Sequence, residues 1–181
     1  MGSTEVIVVG VDGSTESIAA VTWASHRSVR TGARIHCVCT YALASYSAAA
    51  LDGGYAVLDD EALQKGAQQV VDEAVAHATK HGAKNAGGSI QPGDPAGVLI
   101  DFSKEADLVV VGSRGSGGFA DRLLGTVSSA LPAHAKCPVV VVPRHTSGKK
   151  FTPVERIVVG IDGTEAPSSA LRRSVEEAQT W

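Results

Sequence analysis

Aromatic residues are scarce: Phe, Trp and Tyr make up 4% of the 181 residues, so Val, Ala, Leu and Ile must build the core. A strong charge of either sign is also missing. The net charge is −3 and the longest basic run is Lys149-Lys150, which leaves no electrostatic footprint for nucleic acid. No apolar run approaches the roughly 20 residues of a membrane-spanning helix. The first residues lack a basic region followed by a long apolar segment, so no secretory signal is visible and a cytoplasmic location is expected. Three cysteines do not make a disulfide framework. Cys37 and Cys39 alternate along one expected strand, share a face, and lie too far apart along it to bridge easily; they read as small buried hydrophobes. Ligands at zinc spacing are absent. So are a Walker-type Gly-x4-Gly-Lys-Ser/Thr, a Gly-x-Ser-x-Gly nucleophile elbow and a His-Glu-x-x-His metal motif.

What is present is an alternation of strands and helices. Residues 6–11 and 108–111 are continuous β-branched or apolar runs, which suits strands buried on both faces of a parallel sheet. Residues 34–40, 86–91 and 139–142 read as three more strands. Helices are expected at 15–30, 59–81 and 95–105, with a fourth from Thr126, and Ser14 or Thr15 would cap the first. The second carries an inward stripe of Leu63, Ala67, Val70, Val71, Ala74 and Ala78; the fourth carries Val127, Ala130, Leu131 and His134 on one face. Residues 42–58 read as a loop. Such alternation implies an α/β fold with parallel pairing and right-handed crossovers. An open five-stranded sheet of order 3-2-1-4-5, with helices on both faces, would put its topological switch between strands one and four. Ligands bind there, at the carboxyl ends of the strands.

The most informative stretch is Gly112-Ser113-Arg114-Gly115-Ser116-Gly117-Gly118, directly after the strand 108–111, followed by Gly125-Thr126-Val127-Ser128 at a helix start. Glycines let backbone N–H groups approach an anion closely, and a helix N-terminus adds unpaired donors and partial positive charge. The spacing is Gly112, two residues, Gly115, nine residues, Gly125-Thr126.

That pattern resembles the nucleotide-binding signature of the universal stress protein family. The opening Val6–Ser14, the stretches Gly93–Ala96 and Ala106–Gly112, and Cys137–Val142 are similar to further segments of the family, so the resemblance spans residues 4–143. It implies an ATP-binding, Rossmann-like module of stress response or signalling, with Mg²⁺ accompanying the phosphates and a homodimer as the assembly. By the same resemblance Gly112, Gly115, Gly125, Thr126, Val127 and Ser128 match ribose and phosphate contacts. Asp12, beside Val11, matches a contact on the adenine or ribose side, and Thr40 a second one. Ser113 and Arg114 lie within the loop. Asp12 also has a purely structural reading, as the first residue of a turn that caps the helix. Pro132 departs from the family pattern inside the fourth helix and frees the carbonyl of Ser128. Any hydrolysis would be slow and incidental. The alternative is a nucleotide hydrolase or transferase with Asp12 and Thr126 around a metal, and a third reading keeps the loop as structure alone.

Residues 156–171 repeat the N-terminus at an offset of 150: Val158-Val159-Gly160-Ile161-Asp162-Gly163 matches Val8-Val9-Gly10-Val11-Asp12-Gly13. The expected organisation is a domain over 1–145, a linker over 146–155, and the start of a second copy, cut short, over 156–181. Its apolar strand would seek cover on the main domain or at a sheet edge, with strand 139–142 the expected acceptor.

Overall fold

Two central strands, β1 (Val6–Gly10) and β4 (Leu108–Gly112), are apolar on both faces and can be satisfied only inside a parallel sheet covered on both sides. The computed structural model, which describes residues 4–41, 60–115, 124–143, 155–161 and 167–181, places them there. Their partners are β2 (Arg34–Tyr41), β3 (Ala86–Pro92) and β5 (Val139–Val142). The order is β3-β2-β1-β4-β5 and every pairing is parallel, as the alternating sequence requires.

The strand period of two divides the apolar residues between two cores. Ile7, Val9 and Val11, with Ile35, Cys37, Leu108 and Val110, face helices α1 (Thr15–Thr31) and α2 (Asp60–Lys80). Val8, Val38, Val109 and Val111 face α3 (Pro95–Phe102) and α4 (Thr126–His134), where they meet Leu99 and Leu131. Each buried Val, Leu or Ile contributes roughly 1.5–3 kcal/mol, so a core nearly without aromatics still holds a sheet. On α2 the expected stripe faces in: Ala67, Val71, Ala74 and Ala78 are buried, and Leu63 and Val70 are half-buried.

The chain divides into two units, residues 1–144 and 145–181. The first holds the whole sheet. In the second, α5 (Pro167–Thr180) is a helix, but residues 155–161 form no strand. The sequence-based expectation of a strand at 156–161 is therefore not met: Val158 is 86% exposed and Ile161 62% exposed.

Two other expectations need correction. Helix α3 stops at Phe102, not near 105, because Ser103 turns the chain: its hydroxyl donates to the carbonyl of Ile100 (2.6 Å) and accepts the N–H of Lys136 (2.8 Å). His134 is exposed; the inward row of α4 runs through Val127, Leu131 and Ala135, and His134 falls beside it at the helix end. Pro132 lies inside α4, as the sequence indicates, and the helix continues to His134 with the proline exposed. The loop reading for 42–58 and the glycines at 117 and 118 lie outside the described residues. Among the described residues, no helix is long and apolar enough to cross a membrane.

Candidate functional site

The carboxyl ends of β1 and β4 are where helices leave toward opposite faces of the sheet: α1 follows β1, and α4 follows β4 after the loop. The split opens a cavity of about 430 Å³, within the roughly 300–1,000 Å³ of small-molecule sites. It is lined by Val11, Asp12, Thr40, Gly112, Arg114, Gly115, Gly125, Thr126, Val127 and Ser128, which are all the residues singled out from the sequence except Ser113.

Asp12 has two faces. Its Oδ1 accepts from the N–H of Ser14 (3.0 Å) and from the Ser14 hydroxyl (2.6 Å). Ser14 in turn is the N-cap of α1, accepting the N–H of Ser17 (3.1 Å). One oxygen thus closes the turn and orders the helix start, as the structural reading held. The other, Oδ2, faces the glycine loop: a Cβ added at Gly115 would lie 2.5 Å from it. Asp12 therefore stands against the loop rather than across the crevice from it.

The loop is tied down by backbone. The Ser113 carbonyl accepts both the N–H of Gly125 (2.8 Å) and the hydroxyl of Ser128 (2.8 Å), and the Ser113 N–H donates to the carbonyl of Val142 (2.8 Å). Ser113 is buried and off the cavity wall. Its part is to fasten the start of α4 to the end of β4. Ser128 spends its one hydroxyl proton on this bond, so toward a ligand it offers an oxygen and its N–H. The N-cap of α4 is Gly125, with no side-chain capping bond. The first-turn N–H groups, which have no intrahelical acceptor, therefore meet no capping side chain at the cavity wall.

The glycines of the motif have different physical causes. At Gly112 a Cβ would come within 2.7–2.8 Å of the backbone and Cβ of Glu16, so this glycine admits the first turn of α1. At Gly125 a Cβ would make only ordinary contacts, 3.5 Å or more, and its φ of −79° suits any residue. Among the described residues nothing requires glycine there.

Sequence reasoning missed the rest of the wall: Gly10, Ser17, Val38, Pro95, Leu99, Val111 and Leu124. Leu99 enters because Gly10 has no side chain; a Cβ there would meet Leu99 Cδ1 at 2.8 Å. The apolar period of α3 pointed Leu99 inward, but gave no sign that a strand glycine left room for it at a cavity. On β2, Cys37 is buried in the α1–α2 core and its thiol is pushed up to about 12, while the Cys39 thiol is raised by burial and by the Asp12 carboxylate. Among the described residues no group of three or more His, Cys, Asp or Glu side chains is arranged to hold a metal ion.

Such a parallel sheet, split at β1 and β4 over a glycine loop, defines an α/β protein with a small-molecule cavity. Comparison with known proteins narrows the class. The model of the universal stress protein family matches residues 4–143, and the chain belongs to that family. It is 32% identical over 185 aligned residues to the universal stress protein Rv2623 of Mycobacterium tuberculosis, an alignment covering 95% of this chain and 59% of that protein. The chain thus spans about three-fifths of the length of the curated relatives it matches. Among solved structures, universal stress protein UspA from Lactobacillus plantarum superposes with a TM-score of 0.67 at 26% identity, covering 78% of this chain and 99% of that one. A universal stress protein in complex with cAMP superposes with a TM-score of 0.57 at 26% identity, covering 78% and 98%.

Proposed function

We propose that this chain binds an adenine nucleotide, ATP with Mg²⁺, in the cavity between β1 and β4, and acts as a nucleotide-dependent stress-response module, homodimeric and cytoplasmic. The observation that carries the reading is the make-up of one cavity wall. Val38, Leu99 and Val111 offer apolar surface for a base, while Gly115 and the open first turn of α4 offer backbone donors for phosphate oxygens. The Asp12 carboxylate, at the junction, suits a hydroxyl or amino donor. The cAMP complex of the similar protein supports an adenine nucleotide as the ligand class. Mg²⁺ fits as a partner of the phosphates, held by them and by water. In this reading Asp12, Thr40 and Val11 serve the nucleoside side, and Gly112, Arg114, Gly115, Gly125, Thr126, Val127 and Ser128 serve ribose and phosphate. Ser113 holds the frame through its backbone.

The test is mass analysis of small molecules released from freshly purified protein, followed by calorimetry with ATP, AMP and inorganic triphosphate, with and without Mg²⁺. The reading expects a bound adenine nucleotide and saturable binding. A nucleotide-free protein that takes up none of the three would overturn it.

A further inference from the structure

Away from the cavity, the carboxyl-terminal ends of α1 and α2 meet through three histidines, all half-buried. The rings of His77 and His81 are stacked, with centroids 4.1 Å apart and planes 28° from parallel. His26, from α1, approaches His81 edge-on at 6.4 Å. Hydrogen bonds fix the arrangement. The Thr22 hydroxyl donates to the Ile18 carbonyl (3.0 Å), so with that proton committed it accepts at 2.8 Å from Nε2–H of His77. Nδ1–H of His81 donates to the His77 carbonyl at 2.9 Å. The Thr22–His77 bond and the His26–His81 edge contact are what cross between the two helices.

We infer that the His26–His77–His81 cluster is a proton-operated release for the α1–α2 seam, closed when the rings are neutral and opened when they gain charge. The surroundings carry the argument. Cations face the cluster from both helices: Arg30 acts on His26 from α1, and Lys80 on His77 from α2. Arg27, beside His26, is directed instead to Glu5 (2.9 Å). On α2, Glu73 lies one turn before His77 and accepts from Gln69 (2.9 Å). A first proton lands beside these exposed cations, and a second would place two imidazolium rings face to face. Burial, then Arg30 and His81, lower the affinity of His26 for a proton; burial, then His81 and Lys80, do the same for His77. A histidine held below its ordinary 6.5 in the closed seam regains that value once the seam opens. Below it the open form binds more protons, so falling pH favours opening. Helix α1 also carries Ser14 and Ser17 at its other end, against Asp12, so the release acts on a helix that also frames the cavity.

The test is amide hydrogen exchange on the whole chain between pH 7.5 and 5, corrected for intrinsic rates, on the parent and on a His77→Gln/His81→Asn variant. Gln keeps a donor for Thr22 and Asn keeps one for the His77 carbonyl, but neither takes a proton. The expected result is a several-fold acceleration on acidification confined to residues 22–31 and 74–83 of the parent, reduced by salt and absent from the variant. No local acceleration in the parent, or the same acceleration in the variant, overturns the inference. Should the variant fail to fold, NMR titration of the parent decides: His77 must titrate below the ordinary range, and a curve at an ordinary midpoint refutes the device.

Discussion

Gly112, Gly115 and Gly125 sit in one motif but should fail in three different ways, and that difference tests the assignment of the cavity. At Gly112, alanine puts a Cβ within 2.7–2.8 Å of the Glu16 backbone and Cβ. Backbone cannot yield as a side-chain tip does, so α1 must shift. Overpacking of this kind costs typically about 1–3 kcal/mol, and at roughly 2–4 °C per kcal/mol for a domain of this size the melting temperature should fall by several degrees. At Gly115, alanine places its Cβ 2.5 Å from Asp12 Oδ2. The far end of a side chain can swing away, so the fold survives while Asp12 is displaced. At Gly125 the nearest atoms are Arg114 Cα at 3.5 Å and the Ser113 carbonyl oxygen at 3.6 Å. Alanine is a poorer N-cap than glycine, but it restricts the unfolded chain by a comparable amount, about 0.4–1 kcal/mol. Stability should hardly change. If phosphate oxygens approach the backbone here, Gly125→Val should still weaken nucleotide binding by at least about tenfold, or roughly 1.4 kcal/mol. Calorimetric titration with ATP, beside thermal melts, reads both quantities. A folded Gly125→Val protein with unchanged affinity refutes the site, and an unaffected melt for Gly112→Ala refutes the packing argument.

Three further predictions follow from other parts of the chain. Asp12→Asn retains an acceptor for Ser14, so the turn should stay; adenosine binding should weaken while inorganic triphosphate binding holds or improves, since a negative charge beside the glycine loop is lost. Equal losses for both ligands in calorimetry would contradict this. Thiol labelling of native protein near pH 8 should modify half-buried Cys137 first and spare Cys37, whose thiol stays protonated up to about 12; rapid labelling of Cys37 would mean that β2 is less buried than described. Deleting residues 146–181 removes exposed Ile157, Val158, Ile161, Leu171 and Val175, and should shift the monomer–dimer balance and lower hydrophobic-dye binding. Identical sedimentation and dye signal in the deleted and parent proteins would make that segment inert in assembly.

Most of the sheet was legible because its signals are local. Strands β1 and β4 are continuous β-branched runs, and the α2 stripe is a plain helical period. Strand β3 is weaker in sequence, Ala86-Gly87-Gly88-Ser89-Ile90, and forms for a reason periodicity does not register. At Gly88 a Cβ would meet Val71 Cγ1 at 2.5 Å and the Cys37 carbonyl at 2.6 Å, so the missing side chain lets β3 close against β2 and α2. The glycine loop was legible as a motif, yet the motif merges distinct causes: room for α1 at Gly112, room for Asp12 at Gly115, and no steric demand at Gly125. The apolar half of the cavity wall was not legible, because Val38, Leu99 and Val111 come from three elements that only the completed sheet brings together.

The clearest limit on local reading lies in the repeat. Residues 157–160 are identical to 7–10, Ile-Val-Val-Gly in both, and the two stretches have nearly the same intrinsic β preference. Residues 7–10 form a strand flanked by β2 and β4, with Ile7 and Val9 wholly buried; residues 157–160 form none, and Val158 is 86% exposed. Glycine makes the same point. Gly10 gives up its side chain to Leu99, whereas a Cβ at Gly160 would meet nothing within 4 Å among the described residues. A strand is a property of pairs, since its backbone groups bond to neighbours and its side chains pack on faces that other elements supply. The same residues therefore specify a central strand where neighbours exist and an exposed apolar segment where, among the described residues, none pairs with it.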